Sequence, residues 1–184
     1  DDLYNSQNIE TIKGKEYANK LDTDARTIER QPKTAVLLAV EKEVDGEKQL
    51  LFQQRTKNPY FGYWGFPSGK IRWGETITQT AARELEEETG LSADFKTVGL
   101  YHEHTFVDGE EEAVEDKMFF VVHCTNPHGD LIEKYEGGVN KWMTIDESRK
   151  LKKRYTSFET ELEMIIGNRE VFTEETHHYS KDEF

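Results

Sequence analysis

The sequence predicts one α/β domain in which a mixed β-sheet lies between helices. Apolar segments of strand length and three helix-start patterns occur along the chain, without a strict alternation of strand and helix. The 184 residues are enough for one hydrophobic core and too few for two. We expect an N-terminal extension over residues 1–31, the domain over residues 32–170 and a polar C-terminal tail over residues 171–184.

Five segments have the apolar and β-branched composition of strands. The first two, residues 34–43 and 49–54, flank Asp45-Gly46, a pair typical of hairpin turns. The other three are residues 96–106, 117–124 and 140–143. We expect the acidic segment 108–116, which separates residues 96–106 from residues 117–124, to be a loop.

Three capping boxes predict where helices begin, each a Thr followed three residues later by Gln or Glu. Thr76 with Gln79 opens the longest helix, and Gly90 ends it. One apolar stripe along that helix recurs every four residues at Ile77, Ala81 and Leu85. The other two boxes are Thr144 with Glu147, opening a helix toward Leu151, and Thr156 with Glu159, opening a helix that ends at Gly167.

The composition excludes several classes of partner. The formal net charge is −13, and such a surface repels a nucleic acid duplex and anionic membranes. The apolar runs are too short to span a bilayer, and no signal-peptide pattern is visible. Cys124 is the only cysteine, which is typical of a cytoplasmic protein. We expect the N-terminal extension to pack either on the domain or on a partner subunit. The sequence therefore does not decide between a monomer and a homodimer.

The longest predicted helix carries a face of carboxylates. Glu84 precedes Glu87 by three residues and Glu88 by four, so the three side chains share one face. Like charges at this spacing destabilise a bare helix by roughly a few tenths of a kcal/mol. A bound cation would reverse that repulsion, and Mg²⁺ prefers such oxygen ligands. Taken alone, a charged run of this kind is more often a solvated helix face.

The surrounding spacing resembles the signature of the Nudix hydrolases. It reads Gly69, five residues, Glu75, seven residues, Arg83-Glu84-Leu85, one residue, Glu87-Glu88, one residue, Gly90-Leu91. Upstream, Gln54-Arg55 and the run Gly62-Tyr63-Trp64-Gly65-Phe66-Pro67-Ser68-Gly69 are also similar to the family, with Ser68 where Gly is commoner. The resemblance covers roughly residues 33–150.

This resemblance implies an α/β/α sandwich and a metal-dependent active site. Glu84, Glu87 and Glu88 would bind Mg²⁺, for which Mn²⁺ can substitute, with help from the Gly69 carbonyl. Glu84 would also activate the attacking water. Independently of the resemblance, the spacing lets Arg83 pair with Glu87 or reach back toward Glu75, and either contact would fix the orientation of the acidic face. Glu136 resembles a further carboxylate that binds metal or acts as base. The rival source of that carboxylate is the acidic segment, with Glu110, Glu111, Glu112, Glu115 and Asp116.

Other residues are candidates for contacts with substrate. Arg55 and Lys70 are the nearest cations for the phosphates, and Tyr60 and Phe61 could stack on a base. Phe106 is a further candidate for contact with the nucleobase. His102 and His104 alternate on one strand face; they could contact substrate or a soft metal, although such a pair is usually structural.

The expected function is Mg²⁺-dependent hydrolysis of a diphosphate linkage in a nucleoside diphosphate linked to another group. Nucleoside triphosphates are the first substrates expected, and nucleotide sugars the second. Residues 105–109 have neither the Pro nor the Tyr associated with the ADP-ribose, dinucleoside-polyphosphate and coenzyme A subgroups. Alternatives are a non-catalytic nucleotide-sensing module, which typically loses box carboxylates, and an isopentenyl-diphosphate isomerase, which Cys124 matches poorly.

Overall fold

The predicted hairpin opens the folded part of the chain. A computed structural model describes residues 31–167 and 171–183, so the expected N-terminal extension, apart from residue 31, lies outside the described residues. Strand β1 is Lys33–Val44 and β2 is Glu47–Arg55. Both turn residues have the positive φ that such a turn requires, 54° at Asp45 and 81° at Gly46.

The strands form one mixed nine-stranded sheet, which confirms the predicted fold class. Along the sheet the order is β7-β8-β2-β1-β6-β5-β9, with β3 beside β2 and β4 beside β1. The pairs β1–β6 and β5–β9 are parallel, and the other pairs are antiparallel. The remaining strands are β3 Trp64–Gly65, β4 Ser68–Lys70, β5 Ser92–Val107, β6 Glu115–His128, β7 Lys134–Tyr135, β8 Gly138–Thr144 and β9 Phe172–Tyr179.

Helices cover both faces of this sheet, as the sandwich requires. Helix α1, Ile77–Thr89, buries Ala81 and Leu85 against one face. Helices α2, Ile145–Arg149, and α3, Phe158–Ile165, lie on the other. Alternate β1 residues enter the two cores, which explains the unbroken apolar run in this strand.

Two of the three capping boxes form as predicted. At the start of α1, Thr76 and Gln79 cap each other, and Gly90 ends the helix with φ 71°. A second box opens α2 at Thr144, although the helix ends at Arg149, short of Leu151.

The third capping box is wrong. Helix α3 begins after Ser157, which makes no side-chain cap bond. The Thr156 hydroxyl lies 2.8 Å from the Tyr179 hydroxyl instead, and Glu159 pairs with Arg149 and Arg154 at 3.2 and 2.6 Å. The Thr and the Glu are thus both engaged by tertiary partners that the local sequence does not contain.

The expected polar tail contains the edge strand β9, which pairs in parallel with β5. Its inward side chains are polar, and they bind polar groups of the domain. The His177 ring nitrogen Nε2 lies 2.6 Å from the Tyr101 hydroxyl, and the Thr160 hydroxyl donates to Glu175 at 2.6 Å. Because the buried face of β9 is not apolar, hydrophobic alternation did not reveal the strand. No helix among the described residues is long and apolar enough to cross a membrane.

Candidate active site

The β4 strand brings a backbone without a side chain against helix α1. Gly69 pairs with Val36 of β1, and the Glu84 carboxylate lies directly over it. A Cβ added at position 69 would overlap that carboxylate. The φ of Gly69 is not among the positive values, so the need for glycine here comes from space and not from backbone conformation.

The Arg83 side chain is the hub of the acidic face. Its Nε and Nη2 donate to the two oxygens of Glu75 at 2.7 and 2.8 Å, and Nη2 also donates to the Lys70 carbonyl at 3.0 Å. Its Nη1 donates to Glu84 at 2.5 Å and to Glu87 at 3.3 Å. All five N–H groups of the guanidinium thus have acceptors in the protein. Arg83 therefore positions the carboxylates, and its hydrogen bonds to Glu75 lower the pKa of that carboxyl to about 2.

Glu88 points from the end of α1 toward β2. Its carboxylate accepts a hydrogen bond from Gln53 Nε2 at 3.0 Å. Burial raises the pKa of Glu88 to about 7; the charges of Glu84 and Glu87 add to this effect, and the Gln53 bond opposes it. This carboxyl is the member of the acidic face with the most to gain from a neighbouring cation.

Asn140 of β8 fixes the same end of the helix. Its side-chain amide donates to the Glu88 carbonyl at 2.8 Å and to the Ile132 carbonyl at 2.7 Å, and its oxygen accepts from Gln53 at 3.2 Å. Asn140 is buried. One side chain thus satisfies an end carbonyl of α1 and orients the residue that holds the Glu88 carboxylate.

The donor set fits a hard divalent cation. Three carboxylates on one helix face offer only oxygen, and the missing Cβ at Gly69 leaves the room that Glu84 occupies beside the loop backbone. The oxygens of Glu84, Glu87 and Glu88 do not all lie within 4.8 Å of one another in the described structure. Mg²⁺ commonly takes one or two carboxylates directly and fills its shell with water and phosphate oxygens, so all three need not converge on one point.

A cavity of about 170 Å³ lies beside this face. It forms where β1 and β2 separate, since their mutual pairing covers only Glu41–Val44 and Glu47–Leu50. Residues from β2, β5, β6, α1 and α3 reach it, together with four tyrosines from four separate segments. The lining includes Gln53, Arg55, Tyr60, Ser68, Glu88, Glu103, Thr105, Glu115, Lys117, Tyr135, Tyr155, Glu161 and Tyr179.

Carboxyl groups dominate the part of the cavity formed by β5, β6 and α3. Burial raises the pKa of Glu161 to about 8, with a further contribution from the charge of Glu103. Burial also raises the pKa of Glu103 to about 7, against the attraction of Lys117. Glu115 accepts hydrogen bonds from the Tyr60 hydroxyl at 2.9 Å and from Lys117 at 2.7 Å. This part of the cavity offers both hydrogen-bond donors and acceptors to a neutral ring.

Comparison with known proteins decides the family. A family model of the NUDIX domain matches residues 31–162, well over half of the chain. The chain belongs to the NUDIX domain family.

Curated relatives align with part of this Nudix chain. An ADP-ribose pyrophosphatase of Methanocaldococcus jannaschii is 32% identical over 93 residues, which is 48% of this chain and 53% of the relative. An octanoyltransferase of Myxococcus xanthus is 34% identical over 117 residues, 62% of this chain and 31% of that protein. The chain therefore spans from about a third to about half of the length of these relatives.

Solved structures agree on the Nudix fold. A MutT protein from Bacillus halodurans is 25% identical with a TM-score of 0.60, covering 83% of this chain and 93% of that one. The NUDIX domain of Shewanella oneidensis NrtR, solved with ADP ribose, has a TM-score of 0.64 at 17% identity and covers 81% and 95% of the two chains. The second likeness concerns the fold alone.

Of the two basic side chains predicted to contact the phosphates in this Nudix domain, the structure places Arg55 at the cavity but not Lys70. Arg55 Nε donates to the carbonyls of Lys57 and Pro59 at 3.0 and 2.6 Å, which directs the guanidinium along the cavity wall near Glu88. Lys70 is exposed and contributes its carbonyl to Arg83. Its ammonium is not part of the cavity lining.

The three aromatic candidates occupy three different environments. Tyr60 is buried in edge-on contact with Tyr155 and Tyr179, at ring distances of 5.2 and 5.3 Å, and reaches the cavity from there. Phe61 is 61% exposed and does not line the cavity. Phe106 stacks on His178 on the face of β5 opposite Glu103 and Thr105, because side chains alternate along a strand.

Glu136 lies in the turn between β7 and β8. Its side chain is 90% exposed and pairs with Lys57 at 2.5 Å, and this pairing lowers the pKa of the carboxyl. Glu115, from the rival acidic segment, lines the cavity, whereas Asp116 points to the other face of β6. The role predicted for Glu136 stays a prediction.

Sequence reasoning missed Gln53, Asn140, Glu103 and Glu161. Gln53 and Asn140 have no local signature, because their importance comes from pairing across β2 and β8. Glu161 sits on the buried side of α3, where an acid among Phe158, Leu162 and Met164 was the one available signal. A carboxyl at an apolar helical position indicates either a partner or a cavity.

Proposed function

We propose that this chain hydrolyses a diphosphate linkage in a nucleoside diphosphate joined to another group, with Mg²⁺ as cofactor. The observation that carries the proposal is the Glu84 carboxylate lying over the bare backbone of Gly69, beside Glu87 and Glu88. The family membership supports it, and so does the name of the M. jannaschii relative.

The cation would be held by Glu84, Glu87 and Glu88 with the Gly69 carbonyl. When bound, it supplies charge neutralisation at the diphosphate oxygens and lowers the pKa of a water. Other side chains position these ligands: Arg83 holds Glu84 and Glu87 in place, and Gln53 orients Glu88.

Glu84 is the better candidate to accept the proton of the attacking water. It is well shielded from solvent and held by Arg83, whereas Glu136 is exposed and bound to Lys57. A general base must reach the reacting water in a defined geometry, which a fixed carboxylate provides. Arg55 is the cation we assign to the phosphates.

We assign the nucleobase to the acidic part of the cavity. The cavity volume is comparable to the roughly 150 Å³ that accommodates a benzene ring in an engineered protein core. Carboxyl groups line this region, and its Lys117 is already bound to Glu115 at 2.7 Å, so among the described residues it offers hydrogen-bond donors and acceptors and no free cation for a phosphate. The neutral ring system is therefore the part of a nucleotide that suits this region. Bases with exocyclic amino groups, which donate to carboxylates, should be preferred over thymine and uracil.

Nucleoside triphosphates remain the first substrates we propose. ADP-ribose is the second, because a relative of 32% identity carries that activity in its name, although the sequence marks of that subgroup were not evident. Nucleotide sugars are the third. A non-catalytic nucleotide sensor is the alternative from a different class.

A hydrolysis screen separates these readings. The purified chain is incubated with nucleoside triphosphates, ADP-ribose and nucleotide sugars in Mg²⁺, in Mn²⁺ and in EDTA, and the products are resolved by chromatography. We expect cleavage between two phosphorus atoms with either metal and none in EDTA. If a nucleotide binds in calorimetry but none of the compounds is cleaved with either metal, the chain is a sensor and the enzyme proposal is wrong.

A further inference from the structure

A second group of metal-ligating side chains lies on the other face of the sheet. His102 and His104 are on β5, and Asp116 is directly opposite His104 on β6. Residues that alternate with them, Glu103 and Glu115, line the cavity. The three side chains are therefore separated from the carboxylate cavity by the thickness of one strand layer.

The ligand atoms of this group already converge. His102 Nε2 lies 2.8 Å from Asp116 Oδ1, and His104 Nε2 lies 3.6 Å from Asp116 Oδ2. Each of the three residues offers one ligand atom, and these three atoms all lie within 4.8 Å of one another. All three residues are partly buried. A tetrahedral ion with bonds of about 2.0–2.1 Å needs ligand atoms roughly 3.3 Å apart, so small side-chain rotations suffice.

Glu174 supplies the support that a metal-binding histidine usually has. Its carboxylate lies 3.3 Å from His102 Nδ1, the ring nitrogen that points away from Asp116. Without an ion, the 2.8 Å contact with Asp116 places a proton on Nε2 as well. A bound cation would displace that proton into solvent, while the hydrogen bond to Glu174 keeps the proton on Nδ1 and so directs Nε2 toward the ion. The contact comes from β9, which pairs with β5 at His102 and Glu174.

We propose that His102, His104 and Asp116 form a site for a divalent transition metal of the Zn²⁺ class, with Glu174 orienting His102. Two imidazoles and one carboxylate suit Zn²⁺ and its neighbours in the first transition series, while Mg²⁺ prefers the oxygen set on α1. Three protein ligands leave one position for water or an incoming group. The bound ion would link β5 and β6 and hold the edge strand β9 through Glu174.

The direct test is calorimetric titration of Zn²⁺ into the full chain at about pH 8, because protons compete less with a metal ion for imidazole at higher pH. Excess Mg²⁺ is present throughout to occupy the carboxylate face. We expect one Zn²⁺ per chain and a rise in Tm on binding. The variants His102→Ala, His104→Ala and Asp116→Asn should each weaken binding at least about tenfold, and Glu174→Gln should weaken it less.

Matched controls identify the site. His123 is another partly buried histidine paired with a carboxylate, Glu41 at 3.1 Å, so His123→Ala should bind Zn²⁺ like the parent chain. Glu87→Gln should also bind it normally. Circular dichroism of each variant verifies folding, and His104→Gln replaces His104→Ala if the latter unfolds. The proposal is overturned by absent Zn²⁺ binding, by unchanged binding in the three ligand variants, or by loss of binding in Glu87→Gln alone; the cluster is then a metal-free hydrogen-bonded group.

Discussion

At the scale of single residues, the acidic face of α1 depends on which carboxylate oxygens stay available after neighbouring side chains have formed their hydrogen bonds. The spacing of Glu84, Glu87 and Glu88 could be predicted because helix geometry alone places them together. Pairing of Arg83 with Glu75 or Glu87 could also be predicted, but its complete engagement could not, because the Lys70 carbonyl that completes it lies on strand β4. Local periodicity thus predicts which side chains share a face but not which of them stay available to a substrate.

Gly69→Ala should abolish most of the activity while the protein stays folded. The added Cβ overlaps the Glu84 carboxylate, so the Glu84 side chain must move away from the β4 backbone at position 69. Rates of product release by the parent and variant chains, measured at saturating Mg²⁺, check this expectation. We expect a decrease in kcat of at least about 100-fold, in line with displacement of a reacting group.

Gly46→Ala is the control for the cost of replacing a glycine. Gly46 has φ 81° and no atom near an added Cβ, so the change strains the backbone without displacing a side chain. It should lower the free energy of unfolding by about 1–2 kcal/mol and leave kcat unchanged. Equal activity of Gly69→Ala and the parent would contradict the assigned place of Glu84.

At the scale of elements, helix α1 is defined by its own sequence but anchored by strands far away in the chain. The Thr76 box and Gly90 set its two ends, as predicted. Its last turn is held by Asn140 of β8, a contact between residues 52 positions apart. The failed box at Thr156 shows the converse case, in which Tyr179 of an unpredicted strand takes the Thr hydroxyl. End signals were reliable where no tertiary partner competed for the same side chains.

Asn140→Ala should both destabilise the protein and impair metal binding. The change leaves the partly buried carbonyls of Glu88 and Ile132 without the Asn140 amide as donor and removes a partner of Gln53. Loss of buried hydrogen bonds of this kind costs about 1–3 kcal/mol. Urea unfolding measures the stability. Calorimetric titration measures the Mg²⁺ affinity, which should decrease because Glu88 is held less firmly in the variant.

Asn126→Ala is the matched control. Asn126 also donates its amide to a carboxylate, Asp94 at 2.7 Å, but on the exposed surface and with no contact to the carboxylate face. Asn126 has φ 52°, where alanine is strained, so its replacement should lower the free energy of unfolding by about 1 kcal/mol and leave the Mg²⁺ affinity as it was. An Asn140→Ala chain with parental stability would show that Asn140 does not anchor the helix.

At the scale of the whole molecule, the sheet extends to an edge that the hydrophobic pattern did not reveal. The sandwich and the central strands were predictable, because α1 and β1 carry the apolar periodicity of buried elements. Strand β9 carries polar side chains on its inner face, and these serve the polar groups of β5 and α3. Its presence therefore depends on partners that only the folded sheet brings together.

Removal of β9 should destabilise the entire domain. A chain that stops after residue 170 loses the buried His177 and Tyr179 and leaves the Tyr101 hydroxyl without His177. We expect a loss of about 3 kcal/mol, or roughly 6–12 °C in Tm for a chain of this length. Differential scanning calorimetry gives the value. A chain that stops after residue 180 keeps β9 and should melt within about 2 °C of the parent; equal Tm values for both truncations would show that β9 contributes nothing to stability.

The central claim is that the carboxylate face of α1 holds the cation on which hydrolysis depends. The most direct measurement compares kcat/KM, on the best substrate of the screen, for Glu84→Gln, Glu87→Gln, Glu88→Gln and Glu86→Gln. Glu86 is exposed on the same helix and loses the same charge, so it controls for helix electrostatics. We expect decreases of at least about 100-fold for the first three variants and less than about threefold for Glu86→Gln. Full activity of Glu87→Gln, or an equal loss in Glu86→Gln, would contradict it.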